Sequence, residues 1–252
     1  MKIAFVASPE PGGQRALKEL SDGYGQAAVA EADFIVALGG DHMALEALHD
    51  AVASRQSRYT HAHRQLRRSS LHSLRTDDST ERLQAAVSLD LPVLQAEIKQ
   101  VGGHSRVLFA INEIVLGRQV LQRAKLKVAV HGEGDPRSIN GDGLMLTTPI
   151  GSTALNRSHG GPLLTLGSSL LALTGNAIAI PPAWCPVILS DHAILDVQVI
   201  EAAYRPVQIL TVSETVPNIS RVRLFRSPDR TVTLLVDREA QSRLCTPFGR
   251  QC

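Results

Sequence analysis

Two glycines and an aspartate, Gly39-Gly40-Asp41, stand directly after an apolar run and directly before a helical pattern. Glycines let phosphate oxygens approach the backbone without a Cβ in the way. The adjacent carboxylate can orient a hydroxyl group or accept its proton. A strand, a glycine-rich turn and a helix also bring backbone N–H groups to an anion. Taken alone, the tripeptide fits either a phosphate site or a turn whose aspartate caps the helix.

The second candidate motif is a pair of polar residues that interrupts an apolar run. Asn112 and Glu113 lie inside the run from Ala110 to Leu116. Burying an amide and a carboxylate is unfavourable unless both find partners. The pair suits a ligand with base edges and ribose hydroxyls, and it equally suits the solvent-facing side of an edge strand.

The segment from Asn140 to Pro162 is rich in Gly, Ser and Thr, and it reads NGDGLMLTTPIGSTALNRSHGGP. A short apolar strand is bracketed there by two glycine-rich turns. Such a loop offers many backbone N–H groups and hydroxyls, and few side chains that would block a close approach. A simple cluster of turns would not need this density of small residues. The segment therefore indicates a nucleotide-binding loop.

The order of these three motifs, G-G-D, I-N-E-I-V-L and D-G-L-M-L-T-T-P-I-G-S-T-A-x-N-x-S-x-G-G-P, resembles the NAD kinase family. The resemblance runs from about residue 30 to the end and is weakest at 55–76. It implies that ATP phosphorylates the adenosine 2′-hydroxyl of NAD to give NADP. It also implies a divalent cation, Mg²⁺, which no motif in this sequence ligates.

The resemblance also implies roles for individual residues. Asp41 would be catalytic and would activate the 2′-hydroxyl. The residues that would bind NAD or ATP are Gly39, Gly40, His42, Asn112, Glu113, Asp142, Ile150, Thr153, Ala154, Leu155, Asn156, Arg157 and Ser158. The family further implies a homodimer or homotetramer.

Three departures from the family pattern keep other functions open. His42-Met43 follows the aspartate where the family has Gly-Thr, and Leu155 replaces a tyrosine. The family's N-x-G-x-x-G-F-L segment corresponds to HRQLRRSSL at 63–71, which has no glycine. One alternative is therefore a catalytically impaired NAD-binding homologue. Another is a kinase of lipids or small alcohols, because diacylglycerol and sphingosine kinases share the G-G-D motif.

An arginine-rich segment at 55–75 contains no acidic residue before position 77. Its guanidinium groups could hold phosphate in place of glycine amides, or the segment could be a solvated loop. It lacks interleaved aromatic residues and the net charge is only +2, which argues against nucleic acid as a partner.

Hydrophobic periodicity divides the chain into two parts. Continuous apolar runs at 2–7 and 32–38, each followed by helical spacing, predict buried parallel strands between helices. A capping-box pattern at 78–81 predicts a further helix through Val87, which Pro92 ends. From about residue 105 the apolar period becomes two, for example at 125–130, 195–199 and 221–236, which predicts antiparallel sheet.

The expected fold class is therefore an α/β, Rossmann-like N-terminal domain plus an all-β, sandwich-like C-terminal domain. The Gly-rich sequence at 101–104 suggests a flexible joint. We predict domain 1–100 as the ATP-binding domain and 101–252 as the NAD-binding domain. Whether the last ~25 residues pack back on the first domain is left open.

Composition and apolar run lengths indicate the cellular compartment that we expect. The chain has 252 residues, 44% of them hydrophobic, which suits one large domain or two modest ones. Its three cysteines lack paired spacing, which favours free thiols in a reducing compartment. The apolar run near Met1 is too short for a signal peptide, and no stretch approaches the ~18 apolar residues of a membrane helix. We expect a cytoplasmic protein without membrane contact.

Overall fold

The computed structural model describes residues 1–53, 59–63 and 83–236. For Asp41, His42, Ala51, Ala53, 59–63 and Glu133 it describes the backbone alone. The chain divides into two compact units: unit 1 comprises Met1–Leu91 and the chain from Arg230 onward, and unit 2 comprises Pro92–Asp229. The arginine-rich segment, apart from 59–63, and the capping box at 78–81 lie outside the described residues.

Unit 1 is an α/β unit with a parallel sheet. Its elements are β1 (Ile3–Ala7), α1 (Pro11–Tyr24), a 3-10 turn (Val29–Glu31), β2 (Phe34–Leu38), α2 (Asp41–Ala53) and β3 (Tyr59–His63). Strand β2 pairs in parallel with β1 on one side and with β3 on the other. The two strands predicted from the continuous apolar runs are confirmed as β1 and β2.

Helices cover both faces of strand β2, which explains why its residues are apolar without alternation. Val36 and Leu38 pack with Leu20 of α1 on one face. Ile35 and Ala37 pack with residues of α2 on the opposite face. The glycine-rich turn that follows β2 therefore emerges between two buried layers.

Unit 2 is built from strands, the first and last of which extend beyond its limits. The strands that begin after α2 and β3 are β4 (Val87–Gln100), β5 (Ser105–Ala110), β6 (Glu113–Arg118), β7 (Ala124–Val130), β8 (Glu133–Gly141), β9 (Gly143–Thr147), β10 (Leu170–Asn176), β11 (Val187–Ser190), β12 (Leu195–Val199), β13 (Val207–Leu210), β14 (Thr215–Val216) and β15 (Ile219–Val236). A 3-10 turn (Gly151–Thr153) and a short helix α3 (Leu155–Ser158) interrupt them.

The strands of unit 2 form two sheets that enclose one core. One sheet contains β15, β12, β7 and β8 in that order, and the other runs β11-β10-β9-β6-β13-β14. Alternate side chains from both sheets, such as Leu126, Val197, Leu116, Leu144 and Leu173, meet in a single buried cluster. The predicted all-β, sandwich-like part of the fold class is thus confirmed.

Several local predictions were wrong. Strand β4 starts at Val87 and runs through Pro92, so the helix predicted to end at Pro92 stops at residue 85. The Gly-rich sequence predicted to be a flexible joint is the turn of the β4–β5 hairpin, closed by a bond from Gly103 N to Gln100 O. Antiparallel sheet was predicted at 232–236, and there β15 also pairs in parallel with β3, as in Leu234 with Thr60.

Within the described residues, no helix is both long enough and apolar enough to cross a lipid bilayer.

We predict that Gly143→Ala strongly destabilises the protein. A Cβ at this position would overlap the carbonyl oxygen of Leu116 on the neighbouring strand, and the φ of +154° is also unfavourable for other residues. We expect the free energy of unfolding to fall by about 3 kcal/mol or more, measured by urea denaturation.

Gly102→Ala is the matched control in the same unit. Its Cβ would approach only the flexible ring of His104, at 3.4 Å or more. We expect a change within about 0.5 kcal/mol. Equal unfolding midpoints for the two variants would contradict the close approach at Gly143.

Candidate functional site

In unit 1, the turn Gly39-Gly40 follows β2 and leads directly into α2, which begins at Asp41. The amide N–H groups of Met43 and Ala44 donate to Gly40 O at 3.0 and 3.3 Å and close the first turn of the helix. The structure thus confirms the predicted strand, glycine turn and helix. The side chains of Asp41 and His42 lie outside the described part of the chain.

Ser8 is a neighbour of this turn that sequence reasoning missed. Its amide donates to Leu38 O at 2.9 Å, and a Cβ on Gly39 would lie 3.1 Å from the Ser8 hydroxyl oxygen. That hydroxyl is buried and has no hydrogen-bond partner among the described residues. The available signal was topological: Ser8 directly follows β1, and the carboxyl ends of adjacent parallel strands lie at one sheet edge.

In unit 2, the Asn-Glu motif and the Gly-Ser-Thr segment come together. Asn112 occupies the turn between β5 and β6, and its carbonyl oxygen accepts bonds from Thr148 N at 2.9 Å and Thr148 Oγ1 at 3.1 Å. Gly151 packs so closely on Asn112 that a Cβ there would overlap the Asn112 carbonyl. Motifs almost forty residues apart in sequence therefore share one surface of unit 2.

Glu113 is the first residue of β6 and lies directly opposite Thr147 of β9. Glu113 Oε2 and Thr147 Oγ1 are both buried, and neither has a hydrogen-bond partner among the described residues. Desolvation by burial raises the pKa of Glu113 to about 7. The carboxyl group can therefore hold a proton near neutral pH and donate a hydrogen bond. Thr147 was not among the predicted site residues.

The loop after β9 presents some of its predicted site residues and buries others. Thr153, Ala154, Leu155, Arg157 and Ser158 are exposed, and Ile150 is half-buried. Asn156 is fully buried, and its side chain is bonded to other residues of unit 2. The exposed face of this loop is consequently the part that a ligand can reach.

Asp142 lies between β8 and β9 and is held by an arginine that the sequence reasoning missed. Arg118 Nε lies 2.8 Å from Asp142 Oδ1, and Arg118 Nη2 donates to Asp142 Oδ2 at 3.2 Å. The Arg118 amide also donates to Asp142 O at 2.9 Å. This two-point contact sets the orientation of the carboxylate.

Across the described residues, no three His, Cys, Asp or Glu side chains are grouped so that they could hold a metal ion. The glycine-free sequence at 63–71 lies almost entirely outside the described residues, so its comparison with the family segment stays a matter of sequence.

We predict a pH-dependent difference in stability between wild type and Glu113→Gln. The folded pKa of about 7 exceeds the ordinary value of 4.5, so the folded state keeps its proton longer than the unfolded chain. Wild-type stability therefore falls as pH rises through this window. Relative to wild type, we expect the free energy of unfolding of Glu113→Gln to be higher by about 1–3 kcal/mol above pH ~7, after allowing for partial solvation. Below pH ~4.5 we expect no difference.

Urea unfolding at a series of pH values measures this difference. Glu97→Gln, at an exposed position of β4, is the control and should follow wild type throughout. A gain for Glu113→Gln that is the same at every pH would contradict the prediction.

No family model matches the chain, but curated relatives do. The NAD kinase of Hyphomonas neptunium is 37% identical over 237 residues, which are 94% of this chain and 92% of that protein. The NAD kinase of Rhizobium meliloti is 37% identical over 239 residues, covering 93% and 91%.

Two solved structures share the fold at lower sequence identity. Yeast NADH kinase complexed with NADH gives a TM-score of 0.78 at 15% identity, over 96% of this chain and 85% of that one. An NAD kinase from Archaeoglobus fulgidus in complex with ATP gives 0.72 at 18% identity, over 97% of both chains. With the motifs of both units in place and relatives of 37% identity along most of its length, the chain belongs to the NAD kinase family.

Proposed function

We propose that this protein transfers the terminal phosphoryl group of ATP to the adenosine 2′-hydroxyl of NAD, giving NADP and ADP. The observation that carries the proposal is the meeting of the Asn112 turn with Gly151, because it joins two family motifs in one surface of unit 2. Family membership supports the same reaction.

Unit 2 supplies the groups for NAD in this proposal. Asn112 and Glu113 contact the adenine and ribose side, with Glu113 able to donate or accept a hydrogen bond. Asp142, oriented by Arg118, contacts another part of the dinucleotide. The remaining loop contacts come from Ile150, Thr153, Ala154, Leu155, Arg157 and Ser158, and the buried Asn156 supports them from within the loop. Small residues and free backbone groups suit the close approach that such a ligand requires.

Unit 1 supplies the groups for ATP and for the chemical step. Gly39 and Gly40 lie against phosphate oxygens, with His42 beside them, at the start of α2. Asp41 accepts the proton of the 2′-hydroxyl while the oxygen of that hydroxyl forms the new bond to phosphorus. The bond between phosphorus and ADP breaks. Such transfers depend mainly on positioning and on neutralisation of phosphate charge. We thus assign ATP to unit 1 and NAD to unit 2, which correspond in the main to the predicted domains 1–100 and 101–252.

A divalent cation fits this proposal as a companion of the triphosphate. The described residues offer no three-ligand cluster, so phosphate oxygens and water would supply most of the ligands of Mg²⁺. When bound, the ion would neutralise charge on the phosphates. We also propose a cytoplasmic homodimer or homotetramer, on the basis of the family alone; sedimentation analysis measures the assembly.

The alternative is an NAD-binding homologue that has lost catalysis. His42 in place of glycine and the glycine-free 63–71 segment motivated it. The two relatives described above do not point that way, since both are NAD kinases. Turnover separates the two functions.

We predict that the purified protein forms NADP from NAD, ATP and Mg²⁺, and that Asp41→Asn lowers kcat about 10²- to 10⁴-fold, because the base is lost. NAD affinity, measured by calorimetry, should change less than about threefold, since the asparagine keeps the size of the side chain. An enzyme-coupled assay of NADP measures turnover. Binding of NAD without any product from wild type would favour the alternative.

His42→Gly tests the departure in the G-G-D motif. Removing the side chain opens the backbone to phosphate oxygens, so we expect kcat/KM for ATP to rise by about threefold or more with KM for NAD unchanged. Initial rates at varied ATP measure the effect. A fall in kcat/KM for ATP would show that the imidazole itself contributes to phosphate binding.

A further inference from the structure

Three polar side chains within the glycine-rich loop are fully buried at a spacing of four residues: Thr148, Ser152 and Asn156. Each bonds to a different neighbouring segment. Thr148 Oγ1 donates to Ile111 O at 2.6 Å, and Ser152 Oγ donates to Pro149 O at 2.7 Å while it accepts from Leu164 N at 3.0 Å. The hydrogen bonds of these side chains therefore stabilise the conformation of the loop itself.

Asn156 uses every polar atom of its side chain within unit 2. Its Nδ2 donates to Pro162 O at 2.9 Å and to Ser152 O at 3.3 Å. Its Oδ1 accepts a bond from Thr174 Oγ1 at 2.6 Å. A buried amide whose donors and acceptor are all satisfied holds its neighbours in one arrangement.

Close packing reinforces this arrangement. A Cβ on Gly161 would overlap the side-chain amide of Asn156, and the Gly161 amide donates to Asn156 O at 2.9 Å. Gly161, in the second glycine pair of the motif, therefore leaves the space that the side chain of Asn156 occupies. Packing and hydrogen bonds both define the position of this side chain.

Thr174 connects the loop to the sheet. It lies in the middle of β10, which pairs with β9 through Thr174 and Met145 and with β11 on its other side. Its side chain is fully buried, and its hydroxyl donates to Asn156 Oδ1. A strand paired on both sides is a rigid support, so the bond ties the end of the loop to a fixed point.

The exposed residues Thr153, Ala154 and Leu155 lie between two of these anchors, Ser152 and Asn156. With both ends held, the three residues keep one conformation before any ligand arrives. Preorganisation of this kind reduces the entropy lost on binding.

We propose that Thr174, acting through Asn156, is a positioning residue that holds Thr153–Leu155 in the conformation that receives NAD. The proposal rests on the proposed function, because it concerns the same dinucleotide site. It adds a residue outside every motif of the loop and gives Asn156 a role that requires no contact with the ligand.

Thr174→Val tests the proposal, since valine keeps the shape but leaves Asn156 Oδ1 without its donor. We expect KM for NAD to rise about tenfold while KM for ATP and kcat change less than about twofold. Thr174→Ser restores the hydroxyl and should recover most of the NAD affinity. Thr215→Val makes the same change at an exposed position of β14 and should behave as wild type.

Hydrogen exchange without substrate provides a second readout. The amides of Ala154, Arg157 and Gly161 should exchange faster in Thr174→Val than in wild type, and Thr174→Ser should reverse the change. This measurement tests the anchoring even if wild type fails to phosphorylate NAD, in which case the proposed function alone fails.

Two outcomes would overturn the proposal. The first is unchanged exchange of the loop amides together with an unchanged KM for NAD. The second is an equal loss of affinity for NAD and ATP accompanied by a lower melting temperature, which would indicate a general structural role.

Discussion

All five residues of strand β9 are buried, and the geometry of unit 2 depends on this burial. Leu144 and Leu146 point into the core between the two sheets. Met145 and Thr147 lie on the opposite face and are equally inaccessible to solvent. A strand buried on both faces cannot shift register by one residue without moving every side chain to the wrong side. Its two ends are therefore fixed points.

The site residues of unit 2 are attached to these fixed points. Asp142 precedes β9 and is clamped by Arg118, while Thr148 follows it and binds the turn at Asn112. The close approach of Gly143 to the β6 backbone holds the first end in place. Rigid strands thus position a loop that has little regular structure of its own. Unit 1 also positions its candidate residues from a buried strand. The Gly39-Gly40 turn follows a parallel strand that is covered on both faces.

Most buried polar groups of the loop serve its architecture. Thr148, Ser152 and Asn156 satisfy backbone groups that would otherwise be buried without partners. Glu113 is different, since its Oε2 has no partner among the described residues and burial raises its pKa to about 7. A carboxyl group kept in such surroundings is typical of functional sites, because its burial reduces stability unless a ligand uses it.

Hydrophobic periodicity was sufficient to predict the two-part fold class and many of the strands, because a period of two and a continuous apolar run each reflect the number of buried faces. It failed at 87–92, where residues expected to continue and end a helix begin strand β4, and Pro92 lies within that strand. The Gly-rich hairpin at 101–104 was mistaken for a joint for a related reason. Glycine permits both a tight turn and a flexible link, and only the pairing of β4 with β5 distinguishes them.

The sequence by itself determined which segments form the candidate site, since the order and spacing of three motifs are written in the chain. It could not separate side chains that face a ligand from those that hold the loop, because Ser, Thr and Asn serve both purposes equally well. Arg118 and Thr174 lie outside the three motifs, Thr147 lies in a motif that does not single it out, and Ser8 is marked only by its place after β1. Tertiary structure alone placed them, because their roles arise from neighbours across strands and turns that are distant along the chain.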